Sequence, residues 1–357
     1  MIRLVLAAML IAATPAVAQQ RTLDAAVEAA IEEAIQPGFA DFSARAATLA
    51  GSLEALCAAP DPERLAAVRE QFGHVVEGWS RVEIFRFGPL TAENRTERIL
   101  FWPDRRGIGL RQVQGLLAED ETATDPATLR DKSVALQGLA ALEFVLFGSG
   151  ADEVLTAEGD FRCRYGAAIA ASIAGVADEL SAAWREPGGI ADRMMDPSPD
   201  DPAYRTEREA VEELVGAASH GLEAIRDTRL LPFVGREPGD DPNPRSALFW
   251  RSGLTMRAIA ANIEGIERLF EASGIADASP VAADARYVDE ATRFEFANAH
   301  RGLSLVTDDV AVALDDARQL QALRYLVIVT QSLQTLIGEQ LPAALGLSVG
   351  FSSLDGD

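Results

Sequence analysis

Gly138-Leu-Ala-Ala-Leu-Glu143-Phe-Val-Leu-Phe-Gly148 is the stretch that decides how this chain folds. Between Lys132 and Asp152, Glu143 is its only charged residue. A helix that is apolar on nearly every side must be buried against other elements. An unpaired carboxylate costs several kcal/mol to bury, so Glu143 needs a cation, a hydrogen-bond donor or a proton. That need makes Glu143 a candidate site residue.

Outward from this run the pattern stays helical. Alanine and leucine dominate, aromatic residues are few, and strand-like alternation is scarce, which predicts an all-α chain. Helices are expected at about 22–36, 38–58, 62–86, 92–102, 106–119, 127–147 and 161–186, then 202–230, 245–273, 282–301 and 305–342. Asp61-Pro62, Asp125-Pro126, Asp201-Pro202 and Asn243-Pro244 each set a capping side chain before a proline suited to the first helical position. The breaker-rich stretch between Pro187 and Tyr204 suits a domain connection. The expected organisation is a leader at 1–18, an N-terminal helical bundle at 19–195 and a C-terminal one at 196–357. Ile169-Ala-Ala-Ser-Ile-Ala-Gly-Val176 echoes Ile259-Ala-Ala-Asn-Ile-Glu-Gly-Ile266, as a duplicated bundle would. The segment Gly235 to Pro244 reads as a solvated connector or a rim to a site.

Arg3, an apolar core from Leu4 to about Thr14, and Ala16-Val17-Ala18 form an export signal with cleavage expected after Ala18. No later run reaches about 18 uninterrupted apolar residues, so a periplasmic location without a membrane span is expected. The formal charge of −23 argues against nucleic acid and anionic membranes as partners. Cys57 and Cys163 are the only cysteines. An exported chain meets an oxidising compartment, so one disulfide between them is expected, closing a loop worth about 4–5 kcal/mol on the chain-entropy estimate.

Most enzyme signatures are missing. There is no His-Glu-x-x-His zinc helix, no Gly-x-Ser-x-Gly nucleophile elbow, no phosphate-cradling glycine loop and no haem-attachment motif. Only His74, His220 and His300 exist, on distant segments. His74-Val-Val-Glu77 and His220-Gly-Leu-Glu223 each put an imidazole and a carboxylate on one helix face, a spacing that glutamate-rich helices also produce by chance.

The segment around Glu143 resembles the signature helix of the imelysin family, whose motif is Gly-x-His-x-x-Glu followed by an apolar run. Gly138 and Glu143 match, and Ala140 stands where the histidine should be. The resemblance continues through Glu83-Ile-Phe-Arg-Phe-Gly-Pro89, Trp102-Pro103-Asp104, Arg162-Cys163-Arg-Tyr165, Trp250-Arg-Ser-Gly-Leu-Thr255 and Ala261-Asn-Ile-Glu-Gly265. It implies two related helical bundles, a periplasmic location and a role in iron acquisition or handling, with iron-uptake proteins of the periplasm or outer membrane as partners. The family's histidine–glutamate pair has been read as a metal site, which implies weak binding of iron or another divalent ion at Glu143, with Glu83 the best second carboxylate and Asp104 the third. Oxygen-rich sites need several ligands, and Ala140 offers none. The competing reading pairs Glu143 with a buried arginine, Arg86 or Arg251, and binds nothing. Trp250-Arg251-Ser252-Gly253 combines an aromatic, a fork-shaped cation and a hydroxyl that could face the first bundle as an anion or carboxylate site. The reading adopted is a non-catalytic protein with a polar cleft between two bundles. A metallopeptidase-like hydrolase and a protein-interaction module are the alternatives.

Overall fold

The computed structural model describes residues 22–347, apart from positions 105, 120–124, 158, 238 and 280–281. The leader expected at residues 1–18 lies outside the described residues. All regular structure in the described residues is helical.

The first rod runs without a break through α1 (Leu23–Ala29), a π-helical segment (Ala30–Ile35) and α2 (Gln36–Ala58), where the sequence suggested an interruption at Pro37. Proline has no N–H to donate and its ring crowds the carbonyl four residues back. A π turn, bonded five residues apart, widens the helix ahead of it and lets the rod continue. The same arrangement recurs where the π segment Ile225–Leu230 precedes Pro232 and where Leu336–Gln340 precedes Pro342.

Helix α3 (Pro62–Val82) starts where Asp61 accepts from the amides of Glu63 (2.8 Å) and Arg64 (3.1 Å). Next come α4 (Arg95–Ile99), α5 (Ile108–Glu119), α6 (Pro126–Arg130), α7 (Gly138–Phe147), α8 (Asp160–Ala183) and α9 (Ile190–Met195). The second half holds α10 (Glu207–Ala224), α11 (Leu231–Val234), α12 (Thr255–Ser273), α13 (Ala282–Leu303), α14 (Val310–Asp315), α15 (Ala317–Thr335) and α16 (Leu341–Leu345).

Helices α2, α3, α7 and α8 pack together, as do α10, α12, α13 and α15. The halves are joined through α1, which lies on α10 and α12, and through α12, which lies on α3. That last contact is close: a Cβ on Gly265 would come within 2.2 Å of the Arg81 carbonyl oxygen, so only glycine lets the backbones approach. By length and hydropathy α8 would serve as a spanning helix, but its buried face packs on α2 and α7. Cys163 in its first turn is bonded to Cys57 at the end of α2, with Cα atoms 5.6 Å apart.

Several expected helices are shorter than local propensity suggests. The expected 62–86 ends at Val82, and 92–102 shrinks to Arg95–Ile99 between left-handed Asn94 and extended Leu100. The expected 127–147 is broken between Arg130 and Gly138, and 305–342 is broken at Asp316, whose carboxylate caps α15. Asp201 does not start a helix. It closes a turn on the amides of Ala203 and Tyr204 and pairs with Arg193, while Thr206 and Glu209 form the capping box of α10. Asn243 caps only the 3-10 turn Pro244–Ser246, and α12 begins ten residues later than expected, at Thr255.

Candidate functional site

The segment 247–254, read from the sequence as helix, is a loop. Phe249 has φ +62° and Gly253 has φ +69°, so the chain turns sharply on both sides of Trp250-Arg251-Ser252. Thr255 Oγ1 donates to the Leu248 carbonyl at 2.6 Å and the Leu254 amide to that of Phe249 at 3.1 Å, which closes the loop on itself. This turn aims two backbone amides at α7.

Helix α7 is held at both ends by residues of the Arg162-Cys-Arg-Tyr165 motif. Tyr165 Oη donates to the Leu136 carbonyl (2.7 Å), just ahead of the helix. Arg162 donates through Nε to the carbonyl of Val145 (3.1 Å) and through Nη2 to that of Phe144 (3.0 Å), satisfying acceptors that a helix C-terminus leaves open. Gly138 opens the helix at φ +75°, where a Cβ would sit 2.4 Å from the Ile99 carbonyl oxygen. The glycine of the motif is therefore a steric requirement of the bend into α7.

Glu143 is 4% exposed. Its Oε1 accepts from the Ser252 amide (3.0 Å) and the Ser252 hydroxyl (2.8 Å), and the Arg251 amide also donates to the carboxylate. Burial pushes the Glu143 carboxyl above its ordinary value, and the Ser252 bonds and the Arg251 charge offset only part of that push. The partner that burial demanded is thus mainly a pair of backbone amides and a hydroxyl.

Glu143 forms part of the wall of a cleft of about 500 Å³. Ala140, one turn earlier on α7, lines the same wall, so the position of the motif histidine faces the cleft. Trp102 and Asp104 also line the cleft. Trp102 Nε1 donates to the Thr228 carbonyl at 3.0 Å, which ties this part of the lining to the second half. The Asp104 oxygens accept from the amides of Ile108 and Gly109, both at 2.8 Å, and so cap α5. Arg251 lies with its guanidinium 4.5 Å from the Trp250 ring centroid and 5.7 Å from that of Phe144. Burial lowers the Arg251 pKa, Glu143 raises it and neighbouring Arg245 lowers it again.

Glu83 and Arg86 do not join this cleft. Glu83, 6% exposed at the end of α3, accepts from Arg229 Nη2 (2.8 Å) and Asn262 Nδ2 (2.6 Å). Arg86 reaches the same carboxylate only at 4.0 Å. Asn262 also donates to the Ser80 carbonyl at 2.7 Å, so the group fastens α3, α12 and the π segment after α10. The expected convergence of Glu83 on Glu143 is corrected: Glu83 is neutralised by a buried arginine that lies 146 positions along the chain. Arg86 is likewise not the partner of Glu143. The sequence singled out Asp104, Glu143, Arg251 and Ser252 and missed Arg236 and Arg245 at the cleft. An arginine on a Gly- and Pro-rich connector carries no local mark of where its guanidinium points.

A resident metal, which the family resemblance implies, is a poor fit to this donor set. The one buried carboxylate already accepts from hydrogen-bond donors and sits beside a guanidinium, and Ala140 supplies no ligand. Among the described residues no group of three or more His, Cys, Asp or Glu side chains is arranged to hold an ion.

Comparison with known proteins agrees with this architecture. Over 93% of this chain and 98% of the other, the fold matches an imelysin-like protein from Psychrobacter arcticum with a TM-score of 0.79 at 18% identity. A protein described as a putative iron-regulated protein A precursor from Parabacteroides distasonis matches with a TM-score of 0.73 at 14% identity, over 91% and 96% of the two chains. No curated protein matches. The family profile described as Imelysin (Peptidase M75) matches residues 35–338, most of the chain, and the chain therefore belongs to the imelysin family.

Proposed function

We propose that this protein is an exported, non-catalytic member of the imelysin family that serves iron acquisition or handling, with the cleft beside Glu143 as its ligand site. The observation that carries the reading is the cleft wall itself. Ala140 occupies the motif position, and Glu143 is engaged by the amides and hydroxyl of the 247–254 loop. A carboxylate held in that way orients the loop and is poorly disposed to activate water, and among the described residues no imidazole lines the cleft to anchor a hydrolytic metal. The iron association is supported by the description of the Parabacteroides protein as iron-regulated. Its periplasmic location is supported by the leader pattern at residues 1–18.

The test combines a deletion strain with the purified protein. Loss of the gene is expected to lower cellular iron and slow growth under chelator-imposed iron restriction, with rescue by the intact chain. Unchanged iron content and growth would refute the iron role. Metal-dependent cleavage of a protein substrate, abolished by Glu143→Gln, would refute the non-catalytic reading.

A second reading, an interaction module, rests on Tyr287 and Phe294 of α13 and Ile328 of α15, which are 60%, 64% and 64% exposed. Apolar side chains exposed on neighbouring helices suit contact with a protein partner.

A further inference from the structure

Three arginines, Arg236, Arg245 and Arg251, line the cleft, and among the described residues none of them has a carboxylate within 4 Å. Other arginines of the chain are paired, as in Arg193–Asp201 (2.6 Å), Arg226–Asp227 (2.8 Å), Arg229–Glu83 (2.8 Å) and Arg257–Glu77 (2.6 Å). Arg245 and Arg251 instead lie 6.0 and 4.5 Å from the centroid of the same ring, Trp250.

None of the cleft carboxylates forms an ion pair with these forks within 4 Å, although Glu143 acts on Arg251 at longer range, and each carboxylate has other partners. Asp104 accepts two helix amides, Asp227 accepts both Nε and Nη2 of Arg226 at 2.8 and 3.0 Å, and Glu143 accepts from Ser252. The cleft therefore presents unused, fork-shaped donors to anything that enters it. Guanidinium forks match carboxylates with two parallel hydrogen bonds, and the Trp102 and Trp250 rings supply an apolar wall for a carbon skeleton. A volume of about 500 Å³ falls in the range of small-molecule sites and far exceeds what a single ion occupies.

We infer that the cleft recognises a small organic anion bearing two or more carboxylates, and that any iron it takes enters as the anionic ferric complex of such a ligand, never as the bare cation. The inference rests on the cleft being the ligand site proposed above. It deepens that reading by naming the charge and chemistry of the occupant. Arg251 and Arg245 are the binding residues, and Ser252, held by Glu143, positions the loop that carries Arg251.

The test is isothermal titration of the full mature chain, disulfide intact, with citrate, tricarballylate, phthalate, ferric citrate, uncharged triethyl citrate and Fe²⁺ without chelator. At least one carboxylate of the panel is expected to bind, about tenfold more weakly in Arg251→Gln and in Arg245→Gln, and more weakly as salt rises. Triethyl citrate is expected not to bind. Arg205→Gln, at an exposed pair with Glu209, is expected to change nothing, and circular dichroism verifies that every variant is folded. Binding of Fe²⁺ alone, undiminished by either cleft variant, with no binding of any carboxylate, would overturn the inference and leave the iron role standing. Binding of citrate or tricarballylate without ferric citrate would uphold the anion site and remove the iron role from it. Failure of every carboxylate in the panel to bind also overturns the inference.

Discussion

Replacing Glu143 separates its two structural duties, accepting hydrogen bonds and carrying charge. In Glu143→Leu the Ser252 and Arg251 amides lose their acceptor in a buried setting, at about 1–3 kcal/mol each. The Ser252 hydroxyl is not stranded, because the Phe249 carbonyl lies 3.1 Å away and can take its proton. A buried leucine returns about 1.5–3 kcal/mol of apolar transfer energy, so the net loss is about 2 kcal/mol. Glu143→Gln keeps an oxygen for both amides and removes only the charge, and its effect is expected within about 1 kcal/mol of wild type. The pH dependence carries the sign. Because burial raises the folded-state pKa of Glu143, the native state holds this proton more tightly than the unfolded chain does. Wild-type stability measured against Glu143→Gln is therefore greatest below the ordinary value of 4.5 and falls as pH rises from there through the raised folded value. Guanidinium unfolding followed by far-ultraviolet circular dichroism at several pH values measures both effects. A leucine variant as stable as the glutamine variant, or a wild-type stability that rises relative to Glu143→Gln as pH rises, would refute the reasoning.

Gly138→Ala is expected to destabilise by more than about 2 kcal/mol in thermal or chemical unfolding, since the new Cβ meets the Ile99 carbonyl oxygen at 2.4 Å on a backbone with φ +75°. Removing the Cys57–Cys163 bond by double substitution to alanine opens a loop of 106 residues and is expected to cost about 4–5 kcal/mol, read from the unfolding midpoint under non-reducing conditions. Ala140→His puts an imidazole on the cleft wall one turn from Glu143 and is expected to strengthen Zn²⁺ binding in competition with a chromogenic chelator. No gain over wild type would mean that the Glu143 oxygens stay with the loop amides.

Glu143 shows how far local sequence reaches. Its burial followed from the apolar residues on every side, because a ten-residue helix with no polar face has to be covered by the rest of the fold. The disulfide followed from there being two cysteines, and the helical class from composition. The partners of Glu143 did not follow, because the amides of Arg251 and Ser252 are free only where the chain is not helical. Ala247-Leu-Phe-Trp-Arg251 has the composition of a helix, and tertiary packing holds Phe249 in a left-handed conformation that no local propensity favours. Glu83 looked equally available beside its aromatic neighbours until the fold brought Arg229 to it from the other half of the chain. Pro37 reads as a break, yet a widened turn ahead of it carries the rod through, as similar turns do ahead of Pro232 and Pro342. Local sequence thus determined which segments are helical, which face is buried and that a lone carboxylate must find donors, since these depend on neighbours within a few turns. Only the tertiary structure decided which donors those are, and that the cleft arginines stay without acids, because ion pairing depends on distances between residues far apart in the chain.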